Sequence, residues 1–141
     1  MPEMTSYSML NVAAALDGLQ VQGLYDGDDV VMVEPLSDEG AMLVGADGSS
    51  IFSQSADQGA EITLKLQHTS PMHKHLTRRW LLQRTGRLLP MPFVVRDTES
   101  GEGHVADQCY IRRAPTDSKG KNATVREWIL ITGQCIPLGV V

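Results

Sequence analysis

The chain has 141 residues, a length typical of one domain, and its 42% hydrophobic and 21% charged residues are those of a folded globular protein. Seventeen acidic against twelve basic residues give a net charge of −5, which argues against a protein that grips nucleic-acid phosphates. No apolar run approaches the roughly 20 residues of a membrane span, and the first ten residues lack the features of a signal peptide. We therefore expect a soluble, non-secreted protein with one domain over residues 1–141.

Two strand-like runs near the start of the chain, 7–16 and 19–25, flank the dipeptide Asp17-Gly18. Asp-Gly between two such runs favours a tight hairpin, because a type I′ turn needs positive φ at both central residues. The next apolar run, 29–36, predicts a further strand. The first quarter of the chain is therefore expected to be β structure.

Two segments are expected to be long surface loops. Residues 37–59 are rich in Ser, Asp and Gly and are predicted to hold at most a weak hairpin around Asp47-Gly48. Residues 114–123 are polar and contain several residues that break regular structure. Loops of this length are uncommon in a small domain unless they bind something or become ordered on assembly.

Residues 60–67 have the clearest alternation in the sequence. The apolar side chains of this run are Ile62, Leu64 and Leu66. The polar side chains between them are Glu61, Thr63, Lys65 and Gln67. Period-two alternation predicts a strand with one buried and one wet face.

One segment predicts a helix over about 71–85. Ser70 is a good N-cap residue, Pro71 suits the first helical position and Gly86 suits the C-terminal cap. Met72, Leu76 and Trp80 recur at every fourth position, so we expect them to pack on the sheet. The same segment carries a basic cluster of Arg78, Arg79 and Arg84, with Arg87 just after it, and this cluster indicates a solvated face, a patch for an acidic partner protein or, third, a nucleic-acid contact.

Further strands are predicted at 92–98, 103–113 and 124–133. Short strands at this spacing indicate a mainly β fold, an antiparallel β-barrel or sandwich of about seven to nine strands with one flanking α-helix. The last strand has apolar residues on both faces, so we expect both faces to be covered.

No set of residues in the sequence carries a recognisable chemistry. His68, His73 and His75 lack the spacing of a metal site, so no metal and no cofactor is expected. Cys109 and Cys135 are expected to be packing residues on different strands, with a disulfide as the alternative. An odd spacing would place His104 and Cys109 on opposite faces of a regular strand, which argues against a catalytic pair. These absences favour a structural or binding protein over an enzyme.

Four stretches of the sequence resemble small tail tube proteins of contractile-tailed bacteriophages. They are NVAAALDG, MLVGADGSSIFS, AEITLKLQHTSPMHKHL and TVREWILITG. The resemblance runs over about residues 7–136. It implies a tail-tube-like fold of packed β-sheets with one flanking helix, in a structural protein of the virion tail that is present in the host cytoplasm during assembly.

The resemblance further implies six-fold rings that stack into a tube around a channel for the genome. The partners would then be other copies of the chain, a contractile sheath, and baseplate or terminator proteins, with DNA only as passing cargo. We expect the basic cluster on or near the outer surface of the tube and the polar face of at least one strand in the channel. Ring stacking is expected to involve the 37–59 segment, in particular Gly45, Asp47, Gly48, Ile51 and Phe52.

Other readings of the sequence stay open. A tube-like baseplate or tail-tip protein, or the tube protein of a secretion system, would share this architecture. A small monomeric β-barrel binding module or enzyme, with a site around His104, Cys109 and Cys135, belongs to a different class. Self-association separates these classes, because a tube protein forms rings or polymers whereas a binding module stays monomeric.

Overall fold

A computed structural model describes residues 3–139 of the chain. A short 3₁₀ turn, Met9–Asn11, precedes the first strand, and one α-helix, α1, spans Met72–Arg84. The described residues form ten strands, whose bounds are β1 Val12–Leu16, β2 Leu19–Gln20, β3 Val31–Pro35, β4 Gly40–Val44, β5 Ser50–Gln54, β6 Ala60–Leu66, β7 Met91–Asp97, β8 Gly103–Arg113, β9 Arg126–Thr132 and β10 Ile136–Leu138. Among these strands, the short β10 was not predicted from the sequence.

Eight of the strands form one antiparallel sheet in the order β2-β1-β7-β8-β9-β6-β3, and β10 pairs with the start of β8. The edge strands β2 and β3 do not pair with each other, so the fold is sandwich-like and the alternative of a closed barrel is wrong. An isolated bridge from Leu24 to Leu66 ties the segment after β2 to the end of β6. The mainly antiparallel β fold with one flanking helix is confirmed.

The hydrophobic core lies on the face of the sheet that α1 covers. Leu16, Ile62, Leu64 and Leu130 are fully buried there, as expected from the alternation in their strands. Trp128 is 2% exposed and contacts Trp80 of the helix edge to face, with ring centroids 6.4 Å apart. Phe93 is also buried there, at 1% exposed, so a mostly aliphatic core needs only three aromatic rings.

Polar side chains at both ends of α1 fasten the helix to neighbouring parts of the chain. The Ser70 hydroxyl accepts a hydrogen bond from the Met72 amide at 3.3 Å, close to the predicted cap, and donates to the Gln22 carbonyl at 2.6 Å. Near the other end of the helix, the Gln83 amide side chain pairs with both backbone groups of Ile111, at 2.7 and 3.0 Å. These bonds fix the direction of α1 across the strands.

The predicted turn at Asp17-Gly18 joins β1 to β2, with φ of 55° and 79° at its two residues. The Asp17 carboxylate also accepts hydrogen bonds from the helix, at 2.8 Å from Nε2 of His75 and at 2.9 and 2.5 Å from the Arg79 guanidinium. The Asp17 side chain is only 14% exposed, which strengthens this contact relative to a surface ion pair. One turn residue therefore anchors the helix to the first hairpin.

The segment 37–59 is not the long loop that its composition suggests. Ten of its residues form the strands β4 and β5, which pair in perfect register from Gly40–Gln54 to Val44–Ser50. The Asp47-Gly48 turn overrides the low β propensity of the flanking Gly and Ser residues. In contrast, the segment 114–123 contains no helix or strand.

Two bulges interrupt β8. Met91 pairs with Cys109 while Phe93 pairs with Ala106, so β8 holds one extra residue between these pairs. The extra residue reverses the alternation, and His104 and Cys109 therefore share the core side of the strand. The expectation that their odd spacing places them on opposite faces was wrong, because it assumed a regular strand.

We expect Asp17→Asn to lower the free energy of unfolding by about 1.5–3 kcal/mol, the usual contribution of hydrogen bonds to a charged group. Asn tolerates the positive φ of this position, so the turn itself is preserved. Urea unfolding of the purified protein measures the loss. The control is Asp47→Asn in the other Asp-Gly turn, where the carboxylate is exposed; an equal loss in both variants would contradict the anchoring role.

Candidate assembly surfaces

The hairpin of β4 and β5, hereafter the arm, is a separate two-stranded sheet. Met42 pairs with Phe52 on one face, and Leu43 pairs with Ile51 on the other. The large apolar side chains of the arm are between 58% and 68% exposed, and they are Met42, Leu43, Val44, Ile51 and Phe52. A two-stranded hairpin is marginally stable by itself, and large exposed apolar side chains on both of its faces make the arm a candidate interaction surface.

The tip of the arm is held by local hydrogen bonds. The Asp47 carboxylate accepts from the amide and the hydroxyl of Ser49, at 3.1 and 2.6 Å, and these bonds lower the pKa of Asp47. The Gly45 amide donates to the Ser49 carbonyl at 2.7 Å, and Gly48 has a φ of 88°. Gly45, Asp47 and Gly48 thus shape the turn, whereas Ile51 and Phe52 present the apolar surface.

The two chain segments that connect the arm to the main sheet are tied together by Asp57. Its carboxylate accepts from the Ser37 hydroxyl at 2.8 Å and from the Gly59 amide at 2.9 Å, and these bonds lower its pKa. The Leu36 amide donates to the Gly59 carbonyl at 3.1 Å, and a matching backbone bond joins Ser55 to Glu39 at 2.7 Å. We call this set of contacts the Asp57 clasp.

The face of the main sheet opposite the helix mixes apolar and charged side chains. Thr63 on the predicted wet face of β6 is 6% exposed, so it is buried, while Glu61 and Lys65 are half-buried. Glu61 pairs with Arg112 across the sheet. The half-buried apolar residues around them include Met32, Val94, Val105, Ile129 and Ile131. The expected coverage of both faces of β9 is therefore incomplete within one subunit.

The helix residues singled out in the sequence occupy three environments. Met72 and Leu76 are buried in the core, and Trp80 is half-buried against it. Arg78 and Arg84 are exposed, and the Arg84 guanidinium lies 4.0 Å from the centre of the Trp80 ring. Arg79 is half-buried because it pairs with Asp17. Of these three arginines, only Arg78 and Arg84 contribute fully to the exposed basic surface of α1.

His73 is a buried helix residue with both ring nitrogens hydrogen-bonded. Its Nδ1 accepts from the Trp128 indole N–H at 3.0 Å, which leaves the proton on Nε2 for the Gln67 carbonyl at 2.7 Å. Burial lowers the pKa of His73. The ring is therefore held neutral as part of the core, a role that its position in a His-rich segment did not reveal.

The residues of the alternative enzyme site do not form an activated pair. His104 and Cys135 both line a cavity of about 420 Å³ beside the Asp57 clasp. Burial raises the pKa of the Cys109 thiol to about 11 and also raises that of Cys135, so both thiols stay protonated and weakly nucleophilic near neutral pH. Both cysteines are free, and Cys135 lies between β9 and β10.

Within the described part of the chain, no group of three His, Cys, Asp or Glu side chains is arranged to hold a metal ion. Among residues 3–139, no helix is long and apolar enough to cross a membrane. The most prominent unexplained features are therefore surfaces. They are the arm, the open face of the sheet and the basic side of α1.

The sequence profile of the family described as the bacteriophage PhiTE tail tube protein matches residues 4–139. The chain belongs to this tail tube family. The expected resemblance is confirmed, and the PhiTE tail tube family identifies the chain as a component of a phage tail. No curated protein matches the chain by sequence.

Solved structures with the same fold come from contractile injection systems. The tube-terminating cap of the anti-feeding prophage has a TM-score of 0.67 at 11% identity over 97% of this chain and 93% of its own. The sheath/tube terminator of an extracellular contractile injection system, PVC, has a TM-score of 0.69 at 12% identity, over 95% of this chain and 97% of its own. A chain of the PVC sheath-tube complex has a TM-score of 0.67 at 13% identity, over 96% of this chain and 93% of its own.

We expect the protein to lose stability as the pH falls from 7.5 to 5.5. In the unfolded chain a histidine titrates near 6.5, whereas folded His73 takes up a proton only at lower pH. The unfolded state thus binds the proton first, and one such group lowers the free energy of unfolding by at most about 1.4 kcal/mol per pH unit. Urea unfolding at several pH values measures the slope.

The variant His73→Asn should reduce this slope, because its Oδ1 can replace Nδ1 as the acceptor for Trp128 and does not titrate. The matched control His104→Gln leaves the His73–Trp128 bond in place and should retain the wild-type slope. An unchanged pH dependence in His73→Asn would refute this account of the buried histidine.

Proposed function

We propose that the protein is the structural subunit of a phage tail tube, in which hexameric rings stack around a channel for the genome, and that it has no catalytic role. The observation that carries this proposal is the arm, whose two faces are both apolar and exposed. One neighbouring surface can cover only one face of a two-stranded sheet. An arm of this kind is suited to lie between two other subunits, which a stack of rings provides.

The positions expected at the ring-to-ring contact belong to this arm. Ile51 and Phe52 supply apolar surface on opposite faces, while Gly45, Asp47 and Gly48 form the turn at its tip. Burial of the exposed apolar area would contribute roughly 25 cal/mol for each Å² removed from water. The arm is therefore proposed as the main apolar contact between rings.

The open face of the main sheet is proposed to be shared between the channel and the neighbouring subunits of a ring. Its charged residues include both signs, with Glu61 paired to Arg112. A channel without an excess of Lys and Arg would let DNA pass, because each additional phosphate contact strengthens binding. DNA is thus proposed as cargo that the tube does not hold.

The remaining partners follow from this placement. We propose that the exposed side of α1, with Arg78 and Arg84, lies on or near the outer surface of the tube, where a contractile sheath would contact it. Baseplate and terminator proteins would close the two ends. A chain with this fold occurs in the PVC sheath-tube complex, which supports a sheath as one of the partners. The protein would be in the host cytoplasm during assembly and in the virion tail afterwards.

A second candidate function is that of a cap or tail-tip protein with the same fold and fewer copies. It is favoured by two structural neighbours that are described as a tube-terminating cap and a sheath/tube terminator. The two functions differ in polymerisation, since a tube subunit forms long stacks and a cap stops at one ring. Negative-stain images of the purified protein distinguish them by particle length.

We expect the double variant Ile51→Ser, Phe52→Ser to remain folded but to form no tubes, because it removes one large apolar side chain from each face of the arm. Negative-stain microscopy and light scattering measure tube formation, and thermal unfolding of the subunit verifies that it is folded. Both residues are exposed in the subunit, so its melting temperature should change little.

The matched control is Leu88→Ser, which removes an apolar side chain that is 62% exposed but lies outside the arm. This variant should form tubes like the wild type. Normal tube formation by the arm variant, or a stable monomer of wild-type protein at high concentration, would contradict the proposed function.

A further inference from the structure

Charge is distributed unevenly along the chain and between the two ends of the sheet. Residues 1–64 contain eleven acidic residues and no Lys or Arg. At one end of the sheet lie the connections 36–39, 55–59, 98–102 and 133–135, which we call the acidic end. These four connections contain no basic residue, and their exposed carboxylates are Asp38, Glu39, Asp57, Glu99 and Glu102.

The opposite end of the sheet carries a basic segment, residues 113–126. It joins β8 to β9, and its charged residues are Arg113, Asp117, Lys119, Lys121 and Arg126. The turn with Asp26, Asp28 and Asp29 lies at this same end of the sheet but beside Lys65, on the other strand edge. Positive charge at this end is thus concentrated on the basic segment and the adjoining helix.

A cavity of about 260 Å³ separates the basic segment from α1 and β9. Its walls include Trp80, Trp128, Asp117, Lys119 and Arg126, and we call it the Arg126 pocket. Both tryptophans of the chain therefore border one pocket. The two cationic side chains, Lys119 and Arg126, outnumber the single carboxylate of Asp117 in this pocket, which favours an anionic group that arrives on a folded partner.

The Arg126 guanidinium is poorly satisfied within the subunit. Its Nη2 lies 3.4 Å from Asp117 Oδ1 and 3.4 Å from His68 Nε2, both longer than a normal charged hydrogen bond. Its Nε is buried and has no hydrogen-bond partner among the described residues. The side chain as a whole is 22% exposed, so a carboxylate can reach the guanidinium from outside and form the short charged hydrogen bond that it lacks within the subunit.

We propose that stacked copies meet head to tail through these two ends, with a carboxylate of the acidic end of one copy entering the Arg126 pocket of the next. This inference rests on the proposed stacking of rings. A polar stack always brings unlike ends together, so the same two surfaces face each other at every step. The negative charge of the acidic end then attracts the basic segment of the next ring. It also repels the acidic end of a ring that approaches in the wrong orientation.

A charge-swap experiment tests this pairing. One variant reverses the basic segment, Lys119→Glu with Lys121→Glu, and the other reverses the acidic end, Asp38→Lys with Glu102→Lys. All four residues are exposed, so the subunits should fold.

Each variant alone should form tubes at least tenfold shorter than the wild type. An equimolar mixture should recover wild-type length, because alternating rings restore complementary contacts. The control, Arg87→Glu with Glu3→Lys, reverses one charge of each sign outside the basic segment and the acidic end, leaves the net charge unchanged and should assemble normally.

The Arg126 pocket is tested separately with Arg126→Gln. Assembly of the wild type should shift the tryptophan emission, since Trp80 and Trp128 both border the pocket, whereas Arg126→Gln should show shorter tubes and a reduced shift. Circular dichroism verifies that the variant is folded, and Arg126→Lys should restore part of the tube length. Wild-type tubes should also shorten as salt is added.

The failure of this inference is distinct from the failure of the proposed function. Tubes of normal length from either charge-reversed variant, or a mixture that does not recover length, would overturn the head-to-tail pairing while leaving the tube itself intact. A wild-type shift of tryptophan emission that Arg126→Gln retains in full would overturn the role of the pocket. Wild-type protein that never stacks would overturn both.

Discussion

A helix of thirteen residues can cover only one face of an eight-stranded sheet. In this protein α1 covers the face that carries Leu64, Trp128 and Leu130, and the opposite face keeps half-buried apolar side chains such as Ile129 and Ile131. Two-layer domains normally bury such a face against another element. The described chain has no second layer for this face, so the face is open to a partner in the proposed assembly.

Folding and association rest on different side chains. The subunit is held by aliphatic residues beneath α1 and by a few buried polar contacts, such as Asp17 with Arg79 and His73 with Trp128. The arm contributes nothing to that core, since its apolar side chains point into solvent. A subunit built in this way can fold fully before it contacts another copy. A substitution in the arm can therefore impair assembly without impairing folding.

Local signals made much of this fold predictable. The Asp17-Gly18 turn, the helix near 71–85 and the strand at 103–113 depend on turn chemistry, capping and alternation, all of which act over a few residues. Contacts between distant residues were not predictable, as for Asp17, which meets Arg79 sixty-two positions later. The bulge in β8 was missed because one extra residue leaves no signature in the sequence, yet it moves His104 to the side of Cys109. The contact between Arg126 and His68 was not predictable either, because the two residues lie fifty-eight positions apart in the sequence.

The Asp57 clasp has a thermodynamic consequence for any partner that receives the arm. A flexible hairpin would have to give up its rotational and backbone freedom at the moment of contact, and each ordered residue costs about 1–2 kcal/mol. Here the bonds from Asp57 to Ser37 and Gly59 fix the base of the arm within the free subunit. Part of that entropy is lost during folding, so a larger share of the free energy gained by burying the arm contributes to binding affinity.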